Sequence, residues 1–421
     1  MANSERRATV ANHSGVADIY PPMPTLPRHL AALLMLTAAC GASTRDAEQA
    51  GATIDTLAGG IVRVTNHSPA DSGKWSLVLE RTVQPADDSA GALRDPADLI
   101  LLDDGTLFVA DEKPVEVMRF DPTGRYVGTV GREGGGPGEF RSAWLAYRGD
   151  TLVVHDPAAA RAGTFLISTS APLLQRPTTP RYFSRIGLDG SGRAVVPVML
   201  PPDSTKPPRR GFIRFSLDGA TLDTAFLPEH PKSDKRWLVR EGSVVRMEMQ
   251  VPMQPQDLSV ADPIGGFVLG WSGEYLLRAT RNGQDTTLLF SRPRPSGAIS
   301  AAEKQAIVED RITSNKQYTP EAVLRASLLA SAIPDERPAF EQIAVDRSGR
   351  RWVRLSSSDT TTVRFDLFDK DGRWLDVVSV AQSGWNRQWW QPVFWAKERV
   401  AVLVLDEEGR PAIKVYRIIQ R

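Results

Sequence analysis

The chain has 421 residues but only one cysteine, Cys40. A single cysteine excludes an intramolecular disulfide and a cysteine-based metal cluster. The chain also has almost no net charge, because 51 lysines and arginines face 50 aspartates and glutamates, which leaves +1. Such a chain offers no general electrostatic field to attract nucleic-acid phosphates or anionic lipids. We therefore predict no nucleic-acid partner.

Histidine and asparagine are scarce as well. The five histidines show neither His-x-x-x-His nor His-Glu-x-x-His spacing, and no Gly-x-Ser-x-Gly nucleophile motif occurs. Only three asparagines follow residue 74, namely Asn282, Asn315 and Asn386. The sequence therefore predicts no metal site, no cofactor and no catalytic residue. The histidines are His13, His29, His67, His155 and His230.

The apolar run over residues 30–39 covers about ten residues, too few for a membrane-spanning helix, which needs about 20. Its length and the preceding Arg28 are typical of the hydrophobic region of a signal peptide. The run ends in Thr37-Ala-Ala-Cys40-Gly41, which resembles the bacterial lipobox, although that pattern prefers leucine where Thr37 stands. Two interpretations follow: Cys40 receives lipid and becomes the mature N-terminus, or ordinary cleavage near Ala39 leaves an inert thiol.

These features divide the chain into three parts. Residues 1–39 are predicted to be the signal peptide, with Met23 as an alternative start. Residues 40–73 are rich in Ala, Gly, Ser, Thr and Asp and predict a flexible tether. Residues 74–421 form the folded body. We expect an exported protein of the periplasm or outer membrane that touches the membrane through its lipid anchor only, or alternatively a secreted one.

A repeated turn organises the body. From Trp75 onward, short β-rich runs alternate with turns of Gly, Asp and Asn, a pattern typical of all-β folds. In the repeated Asp-x-x-Gly-Arg turn, the aspartate accepts backbone amides and the glycine supplies a positive φ. Calcium binding is the alternative, but no stretch completes an EF-hand-type loop. The turns begin at Asp121, Asp189, Asp346, Asp369 and Asp406.

Spacing of the turns gives six units, which start near residues 96, 141, 183, 256, 340 and 391. We predict an all-β, six-bladed β-propeller of four-stranded antiparallel blades. The last unit is one strand short after Ile413–Ile418, and residues 75–83 form a spare strand that would close the ring. Residues 299–331 predict a short helical insertion, and an irregular insert at 224–255 contains a possible strand at 244–251.

One motif carries a family resemblance. Residues 131–140 read Gly-Arg-Glu-Gly-Gly-Gly-Pro-Gly-Glu-Phe. This segment resembles the Gly-Arg-x-Gly-x-Gly-Pro-Gly-Glu-Phe motif of bacterial six-bladed β-propeller lipoproteins related to NHL-repeat proteins, and the close match covers residues 96–140. The resemblance implies a propeller fold, an exported location and loop faces that meet protein or ligand partners. Phosphate binding by these glycines is disfavoured, because no lysine and no hydroxyl follow them as in a P-loop.

Three residues are candidates for a binding face. Asp111 follows an inner strand, Arg132 lies in the glycine-rich motif, and His155 ends an inner strand near the axis. Each has a structural alternative: a loop cap, an exposed salt-bridge partner and a buried structural histidine. Four tryptophans near the last blade boundary are interpreted as core, or as an exposed aromatic pair for a sugar or peptide. They are Trp385, Trp389, Trp390 and Trp395.

Three functions remain open at this point. The leading hypothesis is an envelope-anchored binding or interaction module for a protein, small molecule or glycan, without enzymatic activity. A metal-dependent propeller hydrolase, lactonase or lyase is the alternative, and it would place Glu, Asn and Asp around an axial cation. The third is a purely structural scaffold.

Overall fold

The computed structural model describes residues 51–421 except 88, 178–185, 201–208, 217–220, 229–234, 296, 360, 382–384 and 386–392. The predicted signal peptide, Cys40 and residues 41–50 lie outside the described residues. Among the described helices, none is long and apolar enough to cross a membrane.

The predicted six blades are confirmed, each with four antiparallel strands. Three strands precede them: β1 (Ala52–Thr56), β2 (Val62–Asn66) and β3 (Trp75–Val83). Blade 1 contains β4 (Pro96–Leu101), β5 (Leu107–Glu112), β6 (Val115–Phe120) and β7 (Tyr126–Val130). A short parallel pair follows, β8 (Arg132–Glu133) and β9 (Glu139–Phe140). Blade 2 contains β10 (Trp144–Arg148), β11 (Thr151–Asp156), β12 (Arg161–Leu166) and β13 (Pro172–Pro177).

The remaining blades follow the same plan. Blade 3 contains β14 (Gly187–Leu188), β15 (Ala194–Leu200), β16 (Arg209–Phe215) and β17 (Thr221–Phe226). A separate hairpin comes next, β18 (Arg236–Glu241) and β19 (Val244–Gln250). Blade 4 contains β20 (Asp257–Ala261), β21 (Phe267–Trp271), β22 (Leu276–Thr280) and β23 (Thr286–Ser291). Two helices follow it, α1 (Ala301–Asn315) and α2 (Glu321–Ser327). Blade 5 contains β24 (Phe340–Val345), β25 (Arg351–Leu355), β26 (Thr362–Phe368) and β27 (Trp374–Ala381). Blade 6 contains β28 (Val393–Trp395), β29 (Arg399–Leu405) and β30 (Pro411–Gln420).

The ring closes through the N-terminal strand β3, as predicted. β3 pairs antiparallel with β30, with Trp75 opposite Gln420 and Val83 opposite Ile413. Blade 6 therefore takes its fourth strand from the other end of the chain. Closure pairs the edge of β30, so that β3 becomes the outer strand of blade 6.

Apolar clusters fill the spaces between successive blades. Six of the clusters among the described residues join blade 1 to 2, 2 to 3, and so on around to 6 and 1. In β5, for example, Leu107 and Val109 pack toward blade 6 while Phe108 and Ala110 pack toward blade 2. Both faces of such a strand are covered, so its sequence is continuously apolar rather than alternating.

The meander places its loops on two opposite faces. Turns between the first and second and between the third and fourth strands of a blade form the turn face, for example residues 102–106 and 121–125. Turns between the second and third strands, together with connections between blades, form the connection face. The β18–β19 hairpin and the two helices both belong to connections between blades, so they lie on the connection face.

The helical insertion is also confirmed. The Ser300 side chain accepts the Glu303 amide at 3.2 Å and caps α1, as the capping-box spacing predicts. The helices and the β18–β19 hairpin share a small apolar core of their own, which includes Trp237, Ile312 and Leu324.

The predicted tether is wrong over residues 52–66. β1 and β2 form a hairpin, and β2 pairs in parallel with β23, so blade 4 becomes a six-stranded sheet. Val64 and Ala52 are buried in the cluster between blades 4 and 5. Asn66 donates its side-chain amide to the Ser291 and Gly372 carbonyls at 2.9 and 3.0 Å. The burial of these side chains against blade 4 explains why a segment without a clear strand signal is ordered.

Candidate functional site

A channel lined mostly by apolar side chains lies at the propeller axis. The first strands of the blades are innermost, and several of them contact one another, as β4 does with β10 and β28, and β20 with β24. The cavity has a volume of about 320 Å³. Its side chains come mostly from β10, β14, β20, β24 and β28, so five blades contribute. The bulky lining residues include Leu145, Tyr147, Ile186, Leu188, Val260, Ile343, Phe394 and Trp395.

The lining carries little charge. Arg347 is the charged side chain among the described lining residues, and Gln342 and Ser259 add polar groups. Neither a carboxylate nor a histidine belongs to that described lining. A mostly apolar cavity with a few directed polar groups is typical of small-molecule sites, which usually exceed about 300 Å³.

Arg347 and Tyr147 stand together at the turn face. Arg347 belongs to the turn after β24, and its guanidinium carbon lies 4.2 Å from the centroid of the Tyr147 ring. The centroid of the Phe394 ring lies 5.9 Å from the centroid of the Tyr147 ring. Burial raises the pKa of Tyr147 to about 12, so its hydroxyl stays neutral at physiological pH. This cation–π contact places one positive charge beside an apolar space.

The short inner strand of blade 3 widens the channel. β14 has only two residues, and behind it Val195 and Pro197 of β15 and Phe212 of β16 reach the cavity. Gly187 lines this part of the wall. A Cβ atom at Gly187 would lie 3.7 Å from the Ala261 Cβ and 3.9 Å from the Val195 carbonyl oxygen, both ordinary contacts.

The axial-metal alternative would place Glu, Asn and Asp side chains around the axis, and none of the described lining residues is of these types. The repeated aspartate turns use their carboxylates internally, as the turn interpretation predicts. Asp346, for instance, accepts the amides of Ser348 and Arg350 at 2.9 and 3.0 Å and pairs with the Arg350 side chain. Among the described residues, no group of three His, Cys, Asp or Glu side chains is arranged to hold a metal ion.

Asp111 is a loop cap in this structure. Its side chain is buried, and its oxygens accept the backbone amides of Arg94, Asp95 and Lys113 at 2.8 to 3.0 Å. It therefore fixes the connection that enters blade 1 to the turn between β5 and β6. Asp156 does the same in blade 2, where it accepts the amide of Arg141 at 2.9 Å. Neither aspartate lines the channel.

Arg132 is exposed and pairs with Glu139, at 2.8 Å, across the glycine-rich motif.

The glycine-rich motif wraps around Arg161, a residue that the sequence analysis did not single out. The Arg161 guanidinium donates to the carbonyls of Gly134 and Gly135 at 3.2 and 2.9 Å, and also to the Glu139 carbonyl. The glycines therefore present carbonyl oxygens to a cation, the opposite of the amide cradle that a phosphate needs. No local signal at position 161 points to this role.

His155 is buried beside blade 3 and does not line the channel. Its ring lies 6.2 Å from that of Phe215, and among the described residues its Nδ1 atom has no hydrogen-bond partner. Burial lowers the pKa of His155 to about 4. Asp111, Arg132 and His155 are thus not brought together into one site.

The two described tryptophans of the group, Trp385 and Trp395, are core residues. Trp385 and Trp395 are buried between blades 5 and 6, and Trp395 stacks on Trp352 at 4.6 Å. Trp395 also reaches the channel wall. Trp389, Trp390 and His230 lie outside the described residues.

Comparisons with known proteins give structural similarities only. No protein-family model and no curated protein matches the chain. A protein from Bacteroides fragilis described as exported is 12% identical, with a TM-score of 0.46 over 86% of this chain and 100% of its own. A DUF4221 family member from Bacteroides vulgatus is 11% identical, with a TM-score of 0.48 over 83% and 100%. A pyrroloquinoline-quinone-bound aldose sugar dehydrogenase from Streptomyces coelicolor is 15% identical, with a TM-score of 0.41 over 83% and 100%. At these values the similarities say nothing about ligand or activity, and the propeller assignment rests on the strand pairing.

Proposed function

We propose that this chain is an exported binding module whose axial channel takes a small ligand with an apolar body and one anionic or carbonyl oxygen. The observation that carries the proposal is the channel itself, about 320 Å³ in volume and lined by aliphatic and aromatic side chains from five blades. Arg347 would receive the oxygen, since a guanidinium donates strong, charge-assisted hydrogen bonds.

Size and polarity define the ligand class. A volume near 320 Å³ suits an aromatic acid or a short acyl chain better than an oligosaccharide. Sugars also need many polar partners, whereas the described lining offers few beyond Gln342, Ser259 and Arg347. Small amphiphilic carboxylates are therefore the first compounds to test.

The test is isothermal titration of aromatic and short-chain carboxylates, each beside its neutral amide or alcohol. We expect Arg347→Met to weaken carboxylate binding about tenfold to a hundredfold, the usual effect of losing a charged hydrogen bond, and to change binding of the neutral analogue little. Arg236→Met on the β18–β19 hairpin is the matched control and should leave both affinities unchanged.

Gly187→Phe gives a second, independent test because it fills the channel where a Cβ fits without strain. It should abolish binding of acid and neutral analogue alike while the protein keeps its melting temperature within a few degrees. Failure of the whole panel to bind, or binding that Gly187→Phe does not affect, would contradict the proposal.

The export and membrane assignments belong to this proposal too. We infer from Cys40, and from the motif at residues 131–140, that the protein is a lipid-anchored relative of NHL-type propellers. Cys40→Ala should move the protein from the membrane fraction to the soluble fraction. Unchanged fractionation would refute the anchor and leave ordinary secretion.

A further inference from the structure

Arg347 reaches across the propeller axis. It belongs to the turn after β24 in blade 5, and its guanidinium carbon lies 4.2 Å from the ring centroid of Tyr147 in blade 2. Because the six blades follow one another around the ring, blades 2 and 5 are opposite each other. Side chains from the inner strands of opposite blades meet only by crossing the space around the axis. The contact between Arg347 and Tyr147 therefore spans the channel.

Phe394 of blade 6 joins this contact from the side. Its ring centroid lies 5.9 Å from that of Tyr147. Blade 1 stands between blades 6 and 2, so the two rings meet in front of its inner strand β4. This explains why no residue of β4 belongs to the described channel lining. The aromatic pair narrows the channel from one side, and Arg347 approaches from the other.

The cavity extends to this end of the propeller. Pro263 and Arg347 both lie in turns of the turn face, and both line the cavity. Tyr147, at the end of β10 that leads into the next such turn, lines it as well. The contact between Arg347 and Tyr147 therefore lies where a molecule would enter the channel from the turn face.

The backbone that carries Arg347 is fixed. The Asp346 side chain accepts the amides of Ser348 and Arg350 at 2.9 and 3.0 Å. Arg350 in turn donates to the Lys397 carbonyl of blade 6. The turn is thus anchored both within blade 5 and to the neighbouring blade, so its backbone stays in place when a side chain on it moves.

The side chain of Arg347 is held less firmly than its backbone. It is half-buried, and among the described residues its guanidinium has no hydrogen-bond or ion-pair partner and contacts only the Tyr147 ring. A single cation–π contact is weak, and partly exposed side chains change rotamer rapidly. Arg347 is therefore able to swing away from the axis while its turn remains fixed.

We propose that Arg347 and Tyr147 form a gate at the turn-face end of the axial channel. Arg347 is the moving half, and its stacking on Tyr147 closes the channel. Tyr147 is the fixed half, because its ring is buried and its hydroxyl donates to the Leu101 carbonyl at 3.4 Å. When Arg347 swings toward solvent, a molecule with the width of an aromatic ring enters from the turn face.

Cysteine labelling inside the channel tests the gate. The reporter is Ser259→Cys in a Cys40→Ser background, since Ser259 lines the channel and Cys40 is the only cysteine of the chain. The probe is benzyl methanethiosulfonate, which is uncharged, so that loss of an arginine does not change its attraction to the protein. Arg347→Ala should raise the labelling rate about tenfold, the effect of losing one cation–π contact that holds the gate closed. The smaller methyl methanethiosulfonate should gain less.

Two substitutions of Tyr147 separate the contact with Arg347 from the other roles of this side chain. Tyr147→Leu removes the ring and should speed labelling as Arg347→Ala does. Tyr147→Phe keeps the ring and loses only the hydroxyl, so it should label at the rate of the reporter protein. Combining Tyr147→Leu with Arg347→Ala should add little, because both substitutions remove the same contact.

Arg125→Ala is the matched control. Arg125 is also an arginine of the turn face, with a side chain that is 78% exposed, but it lies between the third and fourth strands of blade 1, away from the axis. Its substitution should leave the labelling rate unchanged. Equal rates for the reporter protein and Arg347→Ala would overturn the proposal, as would equal acceleration by Tyr147→Phe and Tyr147→Leu. Melting temperatures identify any variant that is unfolded, and Arg347→Ala decides the question if Tyr147→Leu does not fold.

The gate rests on the proposed function only for the nature of the molecule that enters. Labelling of the channel needs no bound ligand, so its result is independent of the carboxylate panel. A panel that does not bind would refute the proposed ligand class and leave faster labelling of Arg347→Ala as evidence for the gate. Unchanged labelling beside carboxylate binding would refute the gate alone.

Discussion

A chain in which a nine-residue Gly-Ser linker replaces β3 should lose cooperative folding and aggregate. β3 inserts Leu77 into the cluster between blades 5 and 6 and Val83 into the cluster between blades 6 and 1. Loss of these two buried side chains alone costs about 4 to 8 kcal/mol, a large part of the roughly 5 to 15 kcal/mol that stabilises a typical domain. The linker would also expose the edge of β30.

Glu80 adds to the effect of β3. It binds Arg399 at 2.7 Å and Arg417 at 2.6 Å, and the hydrogen bond from Arg399 holds the pKa of Glu80 down to about 2. Thermal unfolding followed by circular dichroism, together with light scattering, measures the outcome. The control is a five-residue linker in place of β1, the outermost strand of blade 4, which pairs only with β2. Cooperative melting of the β3 variant would contradict the prediction.

Acidification should destabilise the protein through His155. Burial depresses the folded-state pKa of His155 from 6.5 to about 4, so the unfolded chain binds the proton more readily between these two pH values. The stabilising contribution is therefore complete above pH 6.5 and is lost as the pH falls toward 4. A difference of two to three pKa units corresponds to roughly 3 kcal/mol.

His155→Phe removes this titration and keeps a planar ring beside Phe215. The free energy of unfolding should then fall less between pH 6.5 and 4 than in the unsubstituted protein, by roughly 3 kcal/mol. Carboxylates contribute equally to both proteins, so the comparison isolates the histidine. His67→Phe, which replaces an exposed histidine, is the matched control. Identical pH profiles for the His155→Phe and unsubstituted proteins would refute the assignment.

Local turn chemistry made the blades predictable. In each of the five Asp-x-x-Gly-Arg turns the aspartate accepts amides two and four residues on, as Asp121 does from Thr123 and Arg125. These contacts lie within five residues, so the sequence displays them. The predicted blade starts near 96, 256, 340 and 391 differ from the observed first strands by at most two residues.

Features that depend on distant contacts were not visible in the sequence. β2 pairs with β23, which lies more than 200 positions later in the chain, and the channel is lined by side chains from five blades. The glycine-rich motif is recognisable in the sequence. The contact between its carbonyls and Arg161 is not, because nothing around position 161 distinguishes that arginine from the others. Asp111 and His155 lie near the ends of β5 and β11, the second strands of their blades, and both side chains are buried in structural contacts away from the channel.

β3 and β30 close the ring of blades, and a disulfide between these two strands tests the closure. Val78 lies opposite Arg417, and both are exposed. In a Cys40→Ser background, Val78→Cys with Arg417→Cys should oxidise readily, because paired strand residues lie within the roughly 4.4 to 6.8 Å that a disulfide spans. Val78→Cys with Lys414→Cys, shifted by about 10 Å along the strand, should not. A faster-migrating band without reductant for the first pair alone is the predicted result. Its absence, or equal cross-linking of both pairs, would contradict a closed six-bladed ring.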